Sequence, residues 1–391
     1  MNNKVVIVGA KRTPIGSFQG QFATVPADQL GAAAIRGALE HAGVEPAAVD
    51  DVLMGCVLPA GIGQAPARMA SRHAGIPDSA GAVTINKVCG SAMKAIQIGH
   101  DQIVAGSVEI VVAGGMENMT LTPYLLPKAR GGYRMGHGEV LDHMFFDGLR
   151  DPDENLMMGV YGERCAAKYE FTREQQDAFS IASIERALHA MAAEFKHEIT
   201  PVTVKNRRGE TVVSADQEPP ACNLEKIPTL RPAFKKDGTV TAASSSKISD
   251  GAAATVLMSA QKAAAMRLTP LAGIVAHATW SQAPEWFTTA PVGAIKLVLE
   301  KAGWGIEEVD LFEVNEAFAV VSMAAMHDLG IDHAKMNVNG GACALGHPIG
   351  ASGARIVVTL INALRQRDLK KGVAALCIGG GEATAIAIEL P

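Results

Sequence analysis

Residues 39–50 read LEHAGVEPAAVD, and residues 299–310 read LEKAGWGIEEVD, so one pattern occurs twice, 260 positions apart and without a gap. Each copy closes an apolar, helix-like segment with Ala-Gly, a typical helix C-terminus. Each then leads into an apolar run, VLMGCV in the first copy and LFEVNEA in the second, which is typical of a strand. The recurrence predicts that the chain contains two similar halves.

Other blocks recur in the same order, which makes chance similarity between Ala/Gly-rich helices a weak explanation. CGSAMKAIQI (89–98) corresponds to IGASGARIVV (349–358), and VEIVVAGGMEN (108–118) resembles GVAALCIGGGEAT (372–384). VVIVGA near the start has a counterpart in AGIVAHA (272–278). Apolar strands alternate with amphipathic helices in each half, so we expect an α/β fold with mixed, mainly parallel sheets and helices in layers.

The comparison also reveals a long insertion. The second half runs from its glycine turn directly into the terminal strand, whereas the first half reaches a similar closing strand, AAATVLMS, only at 252–259. We therefore assign 1–118 with 250–270 to the first half, 119–249 to an inserted loop domain and 271–391 to the second half. The insertion includes a helix that Thr172 and Gln175 could cap. Insertions at this edge of a sheet commonly cover a site or make subunit contacts.

Composition excludes several classes of protein. The net charge is −5 and no basic block occurs, which argues against a nucleic-acid partner. No apolar run reaches the ~20 residues that span a bilayer, so we expect no membrane partner. VVIVGA is followed at once by Lys11 and Arg12, which is typical of a first strand rather than a signal peptide. Six scattered cysteines without a CxxC favour the reducing cytoplasm and indicate no metal site.

Cys89 raises the first chemical question. It lies in NKVCGSAMKAIQIGH (86–100), where an extended run ends and an apolar helix begins. Cysteine is a common small core residue, but a cysteine at a helix N-terminus can also be a nucleophile, because the helix dipole favours the thiolate. A free cysteine titrates near ~8.5, so we expect neighbouring groups to lower the pKa of the thiol if it reacts at neutral pH.

The second half places other polar groups at corresponding positions. His347 lies in GHPIGASGARI, Cys377 ends an apolar strand before three glycines, and Asn315 and Glu316 occupy the positions of Gly55 and Cys56 in the first half. Each has an ordinary structural explanation: packing for the histidine and the cysteine, helix capping for the asparagine, and a tight turn or phosphate cradle for the glycines. Two thiols and an imidazole that converge would suit covalent acyl transfer.

The motifs resemble those of the thiolases over essentially the whole chain. The residues that carry the resemblance are RTPIGSFQG, NKVCGSAMKA, AGGMENMT, SDGAAA, NEAFA, NGGACALGHPIGASGARI and CIGGGEATA, in the family order. The resemblance implies the duplicated thiolase fold, two halves related by a pseudo-two-fold axis. It implies no cofactor and no metal, with coenzyme A thioesters as substrates.

The resemblance also implies roles for individual residues. Cys89 would carry the acyl group, and His347 would activate it and help bind a thioester oxygen. Cys377 would move the proton of the acetyl carbon. Asn315 would orient a water that joins His347 in one oxyanion hole, and the backbone N–H groups of Cys89 and Gly379 would form the other. Six residues would line the pantetheine tunnel: Leu149, Met158, Phe234, Ala242, Ser246 and Phe318.

Within the family the chain most resembles members that condense two acetyl-CoA into acetoacetyl-CoA and CoA. Several positions depart from the common pattern, namely Met157, Lys247, Phe287, Pro219 and Pro220. A broader-range 3-ketoacyl-CoA thiolase of fatty acid β-oxidation is therefore an alternative. A decarboxylating synthase is disfavoured by Cys377, and a non-catalytic acyl-CoA-binding protein is the remote alternative. The resemblance further implies a homo-oligomer, with part of the insertion making a tetramer contact.

Overall fold

The computed structural model describes residues 4–206 and 209–391. Its strands are β1 (Val5–Arg12), β2 (Gly16–Ser17), β3 (Asp51–Gly55), β4 (Gly81–Ile85), β5 (Ile110–Asn118), β6 (Tyr124–Leu125), β7 (Leu141–Asp142), β8 (Val202–Asn206), β9 (Gly209–Val213), β10 (Ser249–Ser259), β11 (Ala272–Ser281), β12 (Leu311–Val314), β13 (Lys371–Ile378) and β14 (Glu382–Glu389).

The α-helices are α1 (Ala27–Ala42), α2 (Pro66–His73), α3 (Ser91–Val104), α4 (Met158–Lys168), α5 (Arg173–Ala192), α6 (Glu218–Ala221), α7 (Ala260–Ala265), α8 (Ala290–Ala302), α9 (Ala319–Leu329), α10 (Ala342–Leu345) and α11 (Ser352–Gln366). Shorter helical turns include a π-helical segment at Met144–Leu149 and 3₁₀ turns at Pro46–Ala48 and Ile306–Glu308.

The repeated sequence folds in the same way twice. Helices α1 and α8 end at Gly43 and Gly303, which adopt left-handed conformations with φ of 66° and 69°. A 3₁₀ turn and then a strand, β3 or β12, follow each glycine. The aspartate that closes each copy also has an equivalent role, because the Oδ2 of Asp50 and of Asp310 accepts two backbone N–H groups where β5 and β13 begin. The predicted duplication therefore extends to individual hydrogen bonds, which are equivalent in the two halves.

The two halves share one ten-stranded sheet in the order β12-β13-β14-β11-β1-β10-β5-β3-β4, with β2 attached to β10. The halves join where β1 pairs with β11. The sheet is mixed, as expected, and among the described strands the parallel pairs lie towards its two ends: β3 with β4 and β5, and β12 with β13. The other pairs are antiparallel, a direction that a short connection between neighbouring strands allows. Strand β14, for example, follows β13 after a three-residue glycine turn.

Helices α3 and α11 form the central layer. They pack on each other and on strands of both halves. Thirteen consecutive residues of α11, from Ser352 to Leu364, are buried, as expected of a helix that is enclosed on all sides. Helix α1 covers the outer face of the first half, and α8 covers the outer face of the second. Both central helices begin beside candidate catalytic residues, so the layer fixes the position of the site.

The insertion contributes β6–β9 and α4–α6. The predicted capping box is present at α5: Thr172 Oγ1 accepts the Gln175 N–H at 3.2 Å, and Gln175 Oε1 accepts the Thr172 N–H at 2.9 Å. The closing strand β10 starts at Ser249, three residues before the predicted AAATVLMS run. The assignment of the three segments as domains stays a prediction. Within the described residues, the helices are all too short or too polar to span a bilayer.

Candidate active site

Cys89 lies in a tight turn between β4 and α3. Val88 adopts a positive φ of 46°, which is uncommon for a β-branched residue and marks a strained backbone. The Ser91 side chain holds the turn, because its Oγ accepts the Lys87 N–H at 2.8 Å and donates to the Val88 carbonyl at 2.6 Å. The Asn86 side chain accepts the Val88 N–H at 2.9 Å. This turn presents the Cys89 thiol at the N-terminal end of α3.

Cys377 and Gly379 lie beside this turn, although almost 300 residues separate them from Cys89. The Gly379 N–H donates to the Cys89 thiol, and the two thiols are close enough for one to raise the pKa of the other. Gly90 has no room for a side chain, since a Cβ would lie 2.4 Å from Ile378 Cδ1. The turn therefore packs directly on the end of β13, which carries Cys377.

Burial sets the ionisation of both thiols. It raises the pKa of Cys89 to about 11, despite the bond from Gly379, and it raises the pKa of Cys377 well above its usual range. The expectation that neighbouring groups lower the pKa of Cys89 therefore does not hold in this structure. The physical reason is that Cys89 packs against a cluster of buried apolar side chains that includes Met144 and Ile349. Cys89 is neutral at pH 7 and needs a base at the moment of reaction.

His347 has the ionisation and the tautomer of such a base. Burial, with a smaller effect of Arg355, lowers the pKa of His347 to about 3, so the ring is neutral. Its Nδ1 lies 2.5 Å from Ser352 Oγ, and that hydroxyl donates its proton to the Pro348 carbonyl at 3.0 Å. Because the hydroxyl has one proton, both bonds form together only in the tautomer in which Nδ1 donates to Ser352 Oγ. Nε2 then carries a lone pair, and among residues 4–206 and 209–391 this buried atom has no hydrogen-bond partner.

Asn315 follows β12, and a buried ion pair positions its amide. Arg355 donates to Asn315 Oδ1 at 3.4 Å and lies 3.6 Å from Glu313 Oε2. Asn315 Nδ2 is buried and makes no hydrogen bond within the described part of the chain. It can therefore donate to a bound water or a substrate oxygen. The same guanidinium also disfavours protonation of His347, so Arg355 acts on two of the predicted site residues.

Glu117 is a residue that sequence analysis did not select. It is fully buried on β5, and its carboxylate accepts N–H groups of Val57 at 2.9 Å, Leu58 at 3.2 Å and Gly350 at 2.9 Å. Burial raises the pKa of Glu117 to about 7, against the effect of these bonds. The carboxylate joins a loop of the first half to the His347 loop of the second. The sequence feature that could have identified Glu117 is a single glutamate near the end of an otherwise apolar strand.

A cavity of about 220 Å³ lies beside these groups. Five of the six predicted coenzyme A contacts line it, together with His347 and Ile349: Leu149, Met158, Phe234, Ser246 and Phe318. Ala242 is not among the lining residues, but its carbonyl accepts a bond from Lys247 Nζ at the cavity wall. Met157 also lines the cavity. Phe287 does not, because it is buried against Tyr161 with the two rings edge to face.

Comparison with known proteins gives consistent matches over the whole chain. The family described as "Thiolase, N-terminal domain" matches residues 5–261, and "Thiolase, C-terminal domain" matches 268–390. Proteins named acetyl-CoA acetyltransferase from Pseudomonas aeruginosa and Cupriavidus necator are 50% and 49% identical; 98% of this chain and 98% and 99% of theirs are covered.

Solved structures match equally well. The acetyl-CoA acetyltransferase of Bacillus anthracis superimposes with a TM-score of 0.97 at 43% identity, covering 100% of this chain and 99% of that one. The Acat5 thiolase of Ascaris suum, solved in complex with coenzyme A, superimposes with a TM-score of 0.94 at 43% identity, covering 99% of this chain and 100% of that one.

Proposed function

Because the chain belongs to the thiolase family, we propose that it catalyses the reversible condensation of two acetyl-CoA molecules to acetoacetyl-CoA and CoA through an acyl-cysteine intermediate. The observation that supports this most directly is the meeting of Cys89, Cys377 and the Gly379 amide, with the neutral His347 on the wall of the adjoining cavity. Such an arrangement provides a nucleophile, a second acid–base group and an oxyanion donor.

In the first half-reaction Cys89 attacks the thioester carbonyl of acetyl-CoA. Its proton passes to His347 Nε2, the new C–S bond forms, and the bond to the CoA sulfur breaks. His347 then gives the proton to the departing CoA thiolate. The developing oxyanion accepts the N–H groups of Cys89 and Gly379, which need no reorganisation because the turn already holds them.

In the second half-reaction Cys377 first gives its thiol proton to His347. The Cys377 thiolate then removes a proton from the methyl carbon of a second acetyl-CoA. The resulting enolate attacks the acetyl group on Cys89, and the C–S bond to Cys89 breaks. His347 returns its proton to Cys89, which restores both thiols. Two groups stabilise the enolate oxygen: a water that Asn315 holds, and the side chain of His347.

The decisive experiment is to label the acyl-enzyme with radioactive acetyl-CoA and to locate the label. We expect one acetyl group per chain on Cys89, and we expect Cys89→Ser to lose nearly all condensation and thiolysis. Cys222→Ser is the matched control, because Cys222 is a partly buried thiol in the insertion with a bond only to the Glu218 carbonyl. Label on any residue other than Cys89 would refute the mechanism.

The broader-range 3-ketoacyl-CoA thiolase is a second candidate, because Met119, Phe145 and Met157 give the cavity an apolar wall that could hold a longer acyl chain. Thiolysis rates with a series of 3-ketoacyl-CoA lengths separate the two. A steep fall beyond four carbons supports acetoacetyl-CoA as the substrate, and a flat profile supports the broader enzyme.

We propose further that the substrates are coenzyme A thioesters and that the reaction uses no cofactor. We also propose that the protein is a tetramer in the cytoplasm and serves fatty acid metabolism. The names of the relatives support the thioester substrates. Light scattering coupled to size-exclusion chromatography measures the assembly, and a dimer would contradict the tetramer.

A further inference from the structure

Three metal-ligating side chains meet far from the thiols. His100 and Asp101 lie on α3, and His277 lies on β11 of the other half. His100 Nδ1 lies 3.0 Å from Asp101 Oδ1, and His277 Nε2 lies 2.9 Å from the same oxygen, across 176 residues of sequence. Among residues 4–206 and 209–391, this is the group of histidine, cysteine and acidic side chains whose ligand atoms lie within 4.8 Å of one another.

The geometry is that of ligands around one ion. The two imidazole rings meet edge to face, with centroids 4.9 Å apart and planes at 81°, and a nitrogen of each ring lies within 3.0 Å of the same Asp101 oxygen. Ligand atoms at about 2.1 Å from a shared ion are about 3.0 Å apart at a right angle and about 3.4 Å apart at a tetrahedral angle. The two nitrogen–oxygen distances match the right-angled arrangement. They would have to lengthen slightly to match the tetrahedral one.

We propose that His100, Asp101 and His277 bind a divalent transition-metal ion of the Zn²⁺ type, which joins the first half of the fold to the second. Two imidazoles and one carboxylate are ligands that zinc, nickel and copper prefer over magnesium or calcium. Asp101 is exposed, so water can reach the remaining coordination positions.

The charges around the site are mixed. Asp101 supplies one negative charge to the ion. Lys301 opposes binding, because its ammonium donates to the His277 carbonyl at 3.1 Å and lies near the ring. The single carboxylate and the single lysine leave the two neutral imidazoles as the main source of affinity, so loss of either ring should be costly.

The ion would not take part in the acyl transfer. His100 follows Ser91, the first residue of α3, by nine positions, which is about 14 Å along the helix. The effect to expect is therefore on stability, since an ion that binds the folded chain and not the unfolded one raises the melting temperature. It would fasten the helix that begins at the Cys89 turn to strand β11.

The test uses the full chain, freed of metal by chelation and dialysis. Isothermal titration with Zn²⁺ and the visible absorption of added Co²⁺ measure binding. We expect one ion per chain on nitrogen and oxygen ligands, at least tenfold weaker binding in His277→Gln and Asp101→Asn, and a zinc-dependent rise in melting temperature that both variants lose. Asp101 is a surface residue, so its variant remains informative if His277→Gln folds poorly.

His327→Gln is the matched control. His327 Nδ1 bonds to Asp328 Oδ1 at 2.9 Å, but a single imidazole is present there. Its removal should leave the affinity unchanged. Binding that is equally tight in Asp101→Asn would place the ion elsewhere, a cobalt spectrum with thiolate charge-transfer bands would place it on cysteine, and either result would overturn the proposal. Failure to bind Zn²⁺ would also overturn the proposal. None of these results tests the acyl-transfer mechanism, which the labelling of Cys89 tests separately.

Discussion

Replacing Ser352 by alanine should show whether one hydroxyl sets the tautomer of the base. Ser352 Oγ lies 2.5 Å from His347 Nδ1 and donates to the Pro348 carbonyl, and both side chains are buried. Without the hydroxyl, the proton of the neutral ring can lie on either nitrogen. The form with the proton on Nε2 cannot accept the thiol proton of Cys89, and it becomes the favoured form because Nδ1–H loses its acceptor, so the variant spends most of its time in an inactive state.

The structure gives the size of the effect. A buried N–H without an acceptor costs about 1–3 kcal/mol, so in the variant the tautomer with the proton on Nδ1 becomes the minor one and kcat falls by roughly 5- to 150-fold. The pKa of His347 is about 3, so the ring is neutral in both proteins above pH 6 and the fall should not depend on pH between 6 and 9. The KM for CoA should stay the same, because the hydroxyl lies behind the ring rather than in the cavity.

The assay is acetoacetyl-CoA thiolysis, with the rate of Cys89 acetylation in a single turnover as the direct readout. Ser180→Ala is the matched control: Ser180 is also buried and also donates to the carbonyl four residues earlier, at 2.8 Å, but it has no imidazole partner. Its stability loss should resemble that of Ser352→Ala while kcat stays at the wild-type value. Acetylation at the wild-type rate in Ser352→Ala, or an equal loss in Ser180→Ala, would refute the reasoning.

Three further outcomes are expected. Arg355→Met should raise the pKa of His347 above about 3, but by less than the effect of burial, which remains, so the acidic limb of the kcat/KM profile should move to a higher pH while staying below the ordinary 6.5; an unmoved limb would show that the guanidinium has no such effect. Gly43→Ala and Gly303→Ala should each lower the free energy of unfolding by about 1 kcal/mol, additively in the double variant, because equivalent left-handed caps are lost; unequal losses in urea unfolding would count against the equivalence of the halves. Glu117 has a pKa of about 7 when folded and 4.5 ordinarily, so the folded chain binds the extra proton and stability falls by about 3 kcal/mol as pH rises from 4.5 to 7. Glu117→Gln cannot ionise, so its unfolding free energy should vary less with pH from 5 to 8, and an unchanged slope would exclude Glu117 as the source.

Local features were predictable because they depend on neighbours in sequence. The Ala-Gly ends of the repeated stretches form left-handed caps, and Thr172 with Gln175 forms the predicted capping box. Such structures are decided by backbone conformation and by side chains three or four positions away. The direction of strand pairing was less accessible, since it depends on how the chain connects neighbouring strands: a glycine turn leads into β14, and the long insertion leads into β10.

Sequence by itself determined that the chain consists of two similar halves, and its motifs identified Cys89, His347, Asn315 and Cys377 as the candidates for chemistry. Tertiary structure alone decided that both thiols are neutral, that Glu117 links the two halves, and that two histidines on different elements approach one carboxylate. The reason is physical. Ionisation depends on burial and on charges brought close in space, and both are created when distant segments pack, so residue order cannot show them.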